Sequence, residues 1–140
     1  MSAKDIFHNA VKHALVKEHW NITHDPYWIK LADSDINVYI DLAAERLIAA
    51  EKAGEKIAVE IKSFIGNSLI ADFHEALGQF LDYRVALREK EPDRQMYLAI
   101  TLDMYHAFFR RRFIQTVCQE YQVKLLIFDP QKEEVSLWKK

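Results

Sequence analysis

Glu60 and Lys62 stand two residues apart in the stretch "KIAVEIKSF", Lys56 to Phe64. In an extended chain, side chains two apart leave the backbone on the same face. A carboxylate and an ammonium so placed fit two chemistries. The plain one is a solvated or salt-bridged strand face. The sharper one is half of a metal-dependent site for phosphodiester hydrolysis. There a carboxylate holds a hard cation, and a lysine orients the attacking water or neutralises charge growing on the phosphate. A second carboxylate, Asp41, lies in "YIDLAAE" on the polar side of the preceding strand, and strand parity puts it on the face of Glu60. Two nearby carboxylates make a hard-oxygen site suited to Mg²⁺ or Mn²⁺.

The elements that must position these groups follow from the apolar periodicity. Ile36, Val38, Ile40 and Leu42 alternate with Asn37, Tyr39, Asp41 and Ala43, and Ile57, Val59 and Ile61 alternate with Ala58, Glu60 and Lys62. Both read as half-buried strands, joined as a long antiparallel hairpin through "EKAGEK". A tight turn at Ala53-Gly54 sets Glu60 opposite Leu47 and Lys62 opposite Glu45. Asp41 then stands about 20 Å along the strand from Leu47, too far to share an ion with Glu60 unless the hairpin bulges, bends or is longer-looped. Glu45, on the same face, is the rival second carboxylate.

The stretch from Ser68 to Lys90 is the clearest helix, with Leu69, Phe73, Leu77, Phe80 and Leu81 as its core stripe and Pro92 after its end. Gln79 and Tyr83 lie one turn apart on it and share a face. They either reach the charged hairpin or cap a core edge, the tyrosine hydroxyl finding a surface partner. A further helix is expected from about Lys4 to Glu18, an edge-like extended segment in "NITHDPYWIKLA", and strands in "RQMYLAIT", "VKLLIFD" and "EEVSLWKK". The stretch "LDMYHAFFRRRFIQTVCQEYQ" is helical, with a break near Arg110. Strands that follow the later helices imply parallel crossovers. The expectation is an α/β (α+β) fold, one domain over residues 1–140, with a mixed sheet flanked by helices on both faces.

Composition agrees. The chain has 140 residues, 50% hydrophobic and 29% charged, enough for a core without disulfides. Its one cysteine, Cys118, fits a reducing compartment and reads as a buried small residue. No apolar run approaches the ~20 residues of a membrane span, and the N-terminal stretch lacks the apolar core of a signal peptide, so a cytoplasmic protein without a membrane contact is expected. Net charge is −2. A strong non-specific DNA binder is usually basic, so any nucleic-acid role needs a local patch or a partner. The one basic cluster is "FFRRRF", where Arg110, Arg111 and Arg112 either hold DNA phosphates or form a solvated turn. Arg84 and Arg88 either extend a phosphate-binding face or pair with Glu89 and Glu91.

Other chemistries find no support. None of the six histidines has zinc spacing with a cysteine. "FHEALG" begins like a zincin motif, but Gly78 stands where the second histidine belongs. His8 and Lys12, one turn apart on the first helix, either face the charged hairpin or are ordinary surface and packing residues.

Asp41, Glu60-Ile61-Lys62 and the Gln79-x-x-x-Tyr83 helix resemble the PD-(D/E)xK nuclease superfamily, restriction-endonuclease-like in fold, and in the helix element its RecB-like branch. Tyr39 and Ile40 replace the proline of the superfamily's name, a common departure. The resemblance implies Mg²⁺ or Mn²⁺ on Asp41 and Glu60, helped by the Ile61 carbonyl, with Lys62 positioning water and Gln79 and Tyr83 orienting Lys62 or DNA. "KDIFHNAVKHAL", "YIDLAAERLIAAEKAGEKIAVEIKSF", "DFHEALGQFLDYRVAL" and "LIFDPQKEEV" resemble, over nearly the whole chain, the XisH family of cyanobacterial fdxN element excision controlling factors. That resemblance implies control of a DNA rearrangement, together with an XisI-like companion and a site-specific recombinase. It leaves two readings open: an active nuclease, or a catalytically inactive nuclease fold that regulates through its partner.

Overall fold

The computed structural model describes residues 3–29 and 47–140. Helix α1 (Ala3–Lys17) leads to strand β1 (Asn21–His24). The hairpin β2 (Leu47–Lys52) and β3 (Glu55–Ile61) is followed by α2 (Leu69–Lys90) and β4 (Arg94–Thr101). A short helix α3 (Leu102–Met104) continues as a π-helical turn over Tyr105–Phe109, then α4 (Arg112–Glu120), β5 (Leu125–Asp129) and β6 (Glu134–Lys139). The strand predicted over Ile36–Leu42 lies outside the described residues.

The six strands form one mixed sheet in the order β1-β2-β3-β4-β5-β6. Among the described residues β1 is an edge strand, antiparallel to β2, as the sequence around Pro26 suggests. β2 and β3 are antiparallel, β3, β4 and β5 are parallel, and β6 returns antiparallel to β5. The expected crossovers are both present, one through α2 and one through α3–α4.

Helices cover both faces. On one, Ala10, Val11 and Leu15 of α1 pack with Ile48, Ile57, Val59, Ile61, Tyr97, Leu126 and Phe128. On the other, Phe73, Ala76, Phe80 and Leu87 of α2 and Phe108, Phe109 and Ile114 of the later helices pack with Ala58, Leu98, Ile100 and Ile127. Each large apolar side chain removed from water here contributes about 1.5–3 kcal/mol.

The hairpin turn is as tight as the sequence predicts. Ala53 and Gly54 both have positive φ, 50° and 85°. That is the two-residue turn whose twist suits antiparallel strands. α2 begins where Ser68 Oγ accepts the Ala71 N–H at 3.2 Å, and its predicted core stripe faces inward.

Candidate active site

The register fixes Glu60. On β3 it pairs with Leu47 of β2 on one side and Leu98 of β4 on the other. Ile57, Val59 and Ile61 face α1, so Glu60 faces α2. It is 1% exposed, a carboxylate level with two leucines on the inner face of the sheet. Burying a charge there costs several kcal/mol unless it is compensated.

Lys62 lies one step beyond the strand on the same face. Its N–H donates to Ala99 O at 3.2 Å, continuing the β3–β4 ladder. The residue is 6% exposed, and its Nζ lies 3.2 Å from Glu75 Oε1 on α2. Glu75, Gln79 and Tyr83 succeed one another at spacing four, a single line along α2. The line runs from an exposed Glu75 through a half-buried Gln79 to a buried Tyr83. Sequence reading found the last two and missed Glu75, although the same four-residue spacing leads back to it.

After Lys62 the chain turns sharply. Phe64 has φ of 53°, a left-handed conformation that a bulky residue adopts only at a cost of roughly 1–2 kcal/mol. Burial of its ring offsets that cost. Phe64 packs edge-on to Phe109 at 5.4 Å and lies 6.4 Å from Phe108, while Phe73 meets Phe109 at 5.6 Å and Phe108 at 5.8 Å. An aromatic layer thus joins the end of β3, the start of α2 and the π-helical turn. π-Helical turns are rare and concentrate at functional sites.

Asp41 and Glu45, the two candidates for the second carboxylate, lie outside the described residues. Among the described residues no group of three or more His, Cys, Asp or Glu side chains is arranged to hold an ion. Glu60 itself offers a hard oxygen donor, the ligand type that Mg²⁺ and Mn²⁺ take.

The arginines divide. Arg84 Nη1 donates to Tyr121 O at 2.6 Å and Gln122 O at 3.0 Å, and its guanidinium lies 5.4 Å from the Phe80 ring centre. It caps the C-terminal end of α4, where exposed carbonyls favour a cation. Burial, helped by Arg88, lowers its pKa. Arg110, Arg111 and Arg112 are exposed around the predicted break, the first two between the π-helical turn and α4 and the third opening α4. Arg111 Nε donates to Ala107 O at 3.3 Å and its guanidinium covers Phe108 at 5.4 Å.

Two open readings narrow. His8 and Lys12 do not face the charged strand. α1 covers the opposite side of the sheet, and His8 Nε2 and Lys12 Nζ clasp Asp25 at 2.7 and 2.6 Å. Glu91 pairs with Arg94 rather than Arg88: Nε and Nη2 of Arg94 reach its two oxygens at 2.7 and 3.1 Å. Tyr27 also donates its hydroxyl to Glu91, and Arg94 Nη1 reaches Ile57 O at 2.9 Å. This buried network ties α2, β3 and β4 together and was not legible beforehand. Cys118 is half-buried rather than fully buried as expected, and desolvation raises its thiol to about 11, so it stays protonated.

The XisH protein family model matches residues 1–136. An XisH family protein from Nostoc punctiforme PCC 73102 shares 46% identity and superposes with a TM-score of 0.88, covering 97% of this chain and 100% of that one. A fdxN element excision controlling factor protein from Anabaena variabilis shares 46% identity with a TM-score of 0.87, covering 97% of this chain and 99% of that one. No curated protein matches the chain. The family match over nearly the whole sequence and the 46% identity to both structures establish that this chain belongs to the XisH family.

Proposed function

We propose that this chain is a controlling factor for excision of a DNA element, the role that the Anabaena protein's name gives it, and that it acts as a metal-dependent nuclease of the PD-(D/E)xK type. The observation that carries the reading is the burial of Glu60 on β3 and of Lys62 one step beyond it, on the same face, at 1% and 6% exposure. An ordinary salt-bridged strand face stays in water. Two charges held in a core end are tolerated where chemistry needs them.

Glu60 would hold Mg²⁺ or Mn²⁺ together with Asp41, or with Glu45 in its place. The ion, when bound, polarises the scissile phosphate and makes a bound water more acidic. Lys62 keeps its ammonium beside the site through Glu75 and would position the attacking water or balance charge on the phosphate. Gln79 and Tyr83, on the α2 face that carries Glu75, would orient Lys62 or the DNA backbone.

The test is cleavage of supercoiled and linear DNA with Mg²⁺ or Mn²⁺ by the wild type, Glu60→Gln and Lys62→Ala. Cleavage by the wild type that both variants lose, with melting temperatures kept, supports the reading. Cleavage at the wild-type rate by Lys62→Ala overturns it.

A second reading, regulation without catalysis, is favoured by a net charge of −2 and by an Arg84 occupied at the end of α4. Grip on DNA is then local, and an XisI-like companion and a site-specific recombinase would supply the rest. Co-purification with the companion, from a preparation with no metal-dependent cleavage, would select this reading.

A further inference from the structure

The segment Arg110–Phe113, a turn that runs into the start of α4, carries three consecutive arginines and then an aromatic side chain that is 66% exposed. Its neighbours Phe108 and Phe109 are buried, so the three phenylalanines of "FFRRRF" do not all anchor the segment: Phe113 points out while the other two point in. The ion pairs of the described residues occupy Lys62, Arg94 and Lys56, among others, and none of them involves Arg110, Arg111 or Arg112. In a chain with net charge −2 this is an uncompensated cationic patch with a bare π-face.

The patch is held near the charged strand. β3 and β4 are parallel, so Lys62 at the end of β3 and Leu102 after β4 leave the same end of the sheet. The aromatic layer then links Phe64, two residues after Lys62, to Phe108 and Phe109, directly before Arg110. Arg111 stacks over Phe108 of that layer. The turn is thus braced against the loop that leaves the candidate active site.

We propose that Arg110, Arg112 and Phe113 form a binding site for DNA with unpaired bases, the arginines taking backbone phosphates and Phe113 stacking on an exposed base. Duplex DNA offers phosphates alone, because its bases are already stacked. A single strand, flap or melted junction offers both. Cationic side chains beside an exposed aromatic ring are the combination that single-strand binders use. The inference rests on the DNA-directed reading above and deepens it by naming the substrate class.

The test is fluorescence anisotropy of the full chain with a labelled single strand and with the matching duplex, in EDTA and over a salt series. Wild type is expected to favour the single strand. Phe113→Ala is expected to weaken single-strand binding by about tenfold, the scale of one lost base stack, and to leave the duplex nearly unchanged. Phe113→Trp restores the preference. Arg110→Gln with Arg112→Gln weakens both DNAs and flattens the salt dependence by about two phosphate contacts' worth. Melting temperatures check that these exposed substitutions leave the fold intact.

An unchanged single-strand to duplex ratio in Phe113→Ala overturns the proposal. Absence of DNA binding at micromolar protein and low salt also overturns it, and assigns the patch to a protein contact. Because EDTA removes cleavage from the readout, stacking that persists in a chain with no nuclease activity sinks the catalytic reading and leaves this inference standing. Cleavage without strand preference does the reverse.

Discussion

Lys62 Nζ lies 3.2 Å from Glu75 Oε1, so a nearly buried ammonium at the end of β3 is held by a carboxylate that is 56% exposed on α2. The pair is asymmetric. Lys62 has little water to fall back on, whereas Glu75 can turn into solvent. On the proposed function, a phosphate arriving at the mouth of the site would compete with Glu75 for Lys62. Glu75→Ala is expected to raise DNA affinity several-fold, measured in EDTA by anisotropy. It should also lower stability by about 1–3 kcal/mol, because a buried donor loses its acceptor. Unchanged affinity would mean that Lys62 does not meet DNA.

Glu60 and Lys62 also predict a trade between stability and function. Glu60 lies level with Leu47 and Leu98 on the inner face of the sheet. Replacing buried charges by apolar groups of similar size is often stabilising by about 1–4 kcal/mol. Glu60→Leu with Lys62→Met is expected to shift the urea midpoint upward while any metal-dependent cleavage disappears. An unfolding free energy that falls by more than about 2 kcal/mol, on the order of a lost buried network, would make the pair a structural one.

Much of this architecture is legible in the sequence because it depends on local periodicity. The tight turn at Ala53-Gly54 fixes Leu47 opposite Glu60, and the observed register agrees. Alternation along "KIAVEIKSF" sorts Glu60 and Lys62 from their apolar neighbours, and the spacing of Phe73 and Phe80 marks the inner face of α2. What escaped depends on contacts distant in sequence. Glu75 becomes notable only once α2 is laid across β3. Arg94 reads as an ordinary charged strand start, yet it is 5% exposed because the Tyr27 ring, Glu51 and Glu91 converge on it from three other segments. His8 and Lys12 share a helical face, but periodicity does not say which side of the sheet that helix covers.

The Arg94 cluster predicts a specific acid sensitivity. Hydrogen bonding from Arg94, then from Tyr27, lowers the Glu91 carboxyl from its ordinary 4.5 to about 2, against the opposing effect of burial. A depressed folded-state pKa contributes stability that is present above the ordinary value and lost as pH falls through the folded one. The wild-type melting temperature should therefore fall between about pH 4.5 and pH 2 more steeply than that of Glu91→Gln. Parallel pH profiles in the two proteins would remove Glu91 from the acid response.

Arg94 itself should be intolerant of its usual replacement. Two nitrogens grip Glu91, and a third reaches the Ile57 carbonyl at 2.9 Å. A lysine has one point of charge and cannot span both partners. Arg94→Lys is expected to cost about 3–5 kcal/mol, the scale of a broken buried pair, read from urea unfolding. A loss below about 1 kcal/mol, the range of an exposed pair, would show that the network is dispensable.

Arg84 separates a structural arginine from a DNA-binding one. Its guanidinium donates to Tyr121 O and Gln122 O, which places its charge at the end of α4 rather than in solvent. Each of these bonds is worth about 0.5–1.5 kcal/mol net, so Arg84→Ala should lower stability by about 1–3 kcal/mol. Hydrogen exchange should show faster opening of the last turn of α4, where the capped carbonyls lie. DNA affinity and its salt dependence should stay within twofold of wild type, whereas substitution of Arg110 and Arg112 should change both. A drop in the salt slope for Arg84→Ala by about one unit would instead give Arg84 a phosphate contact of its own, made when the α4 end releases it.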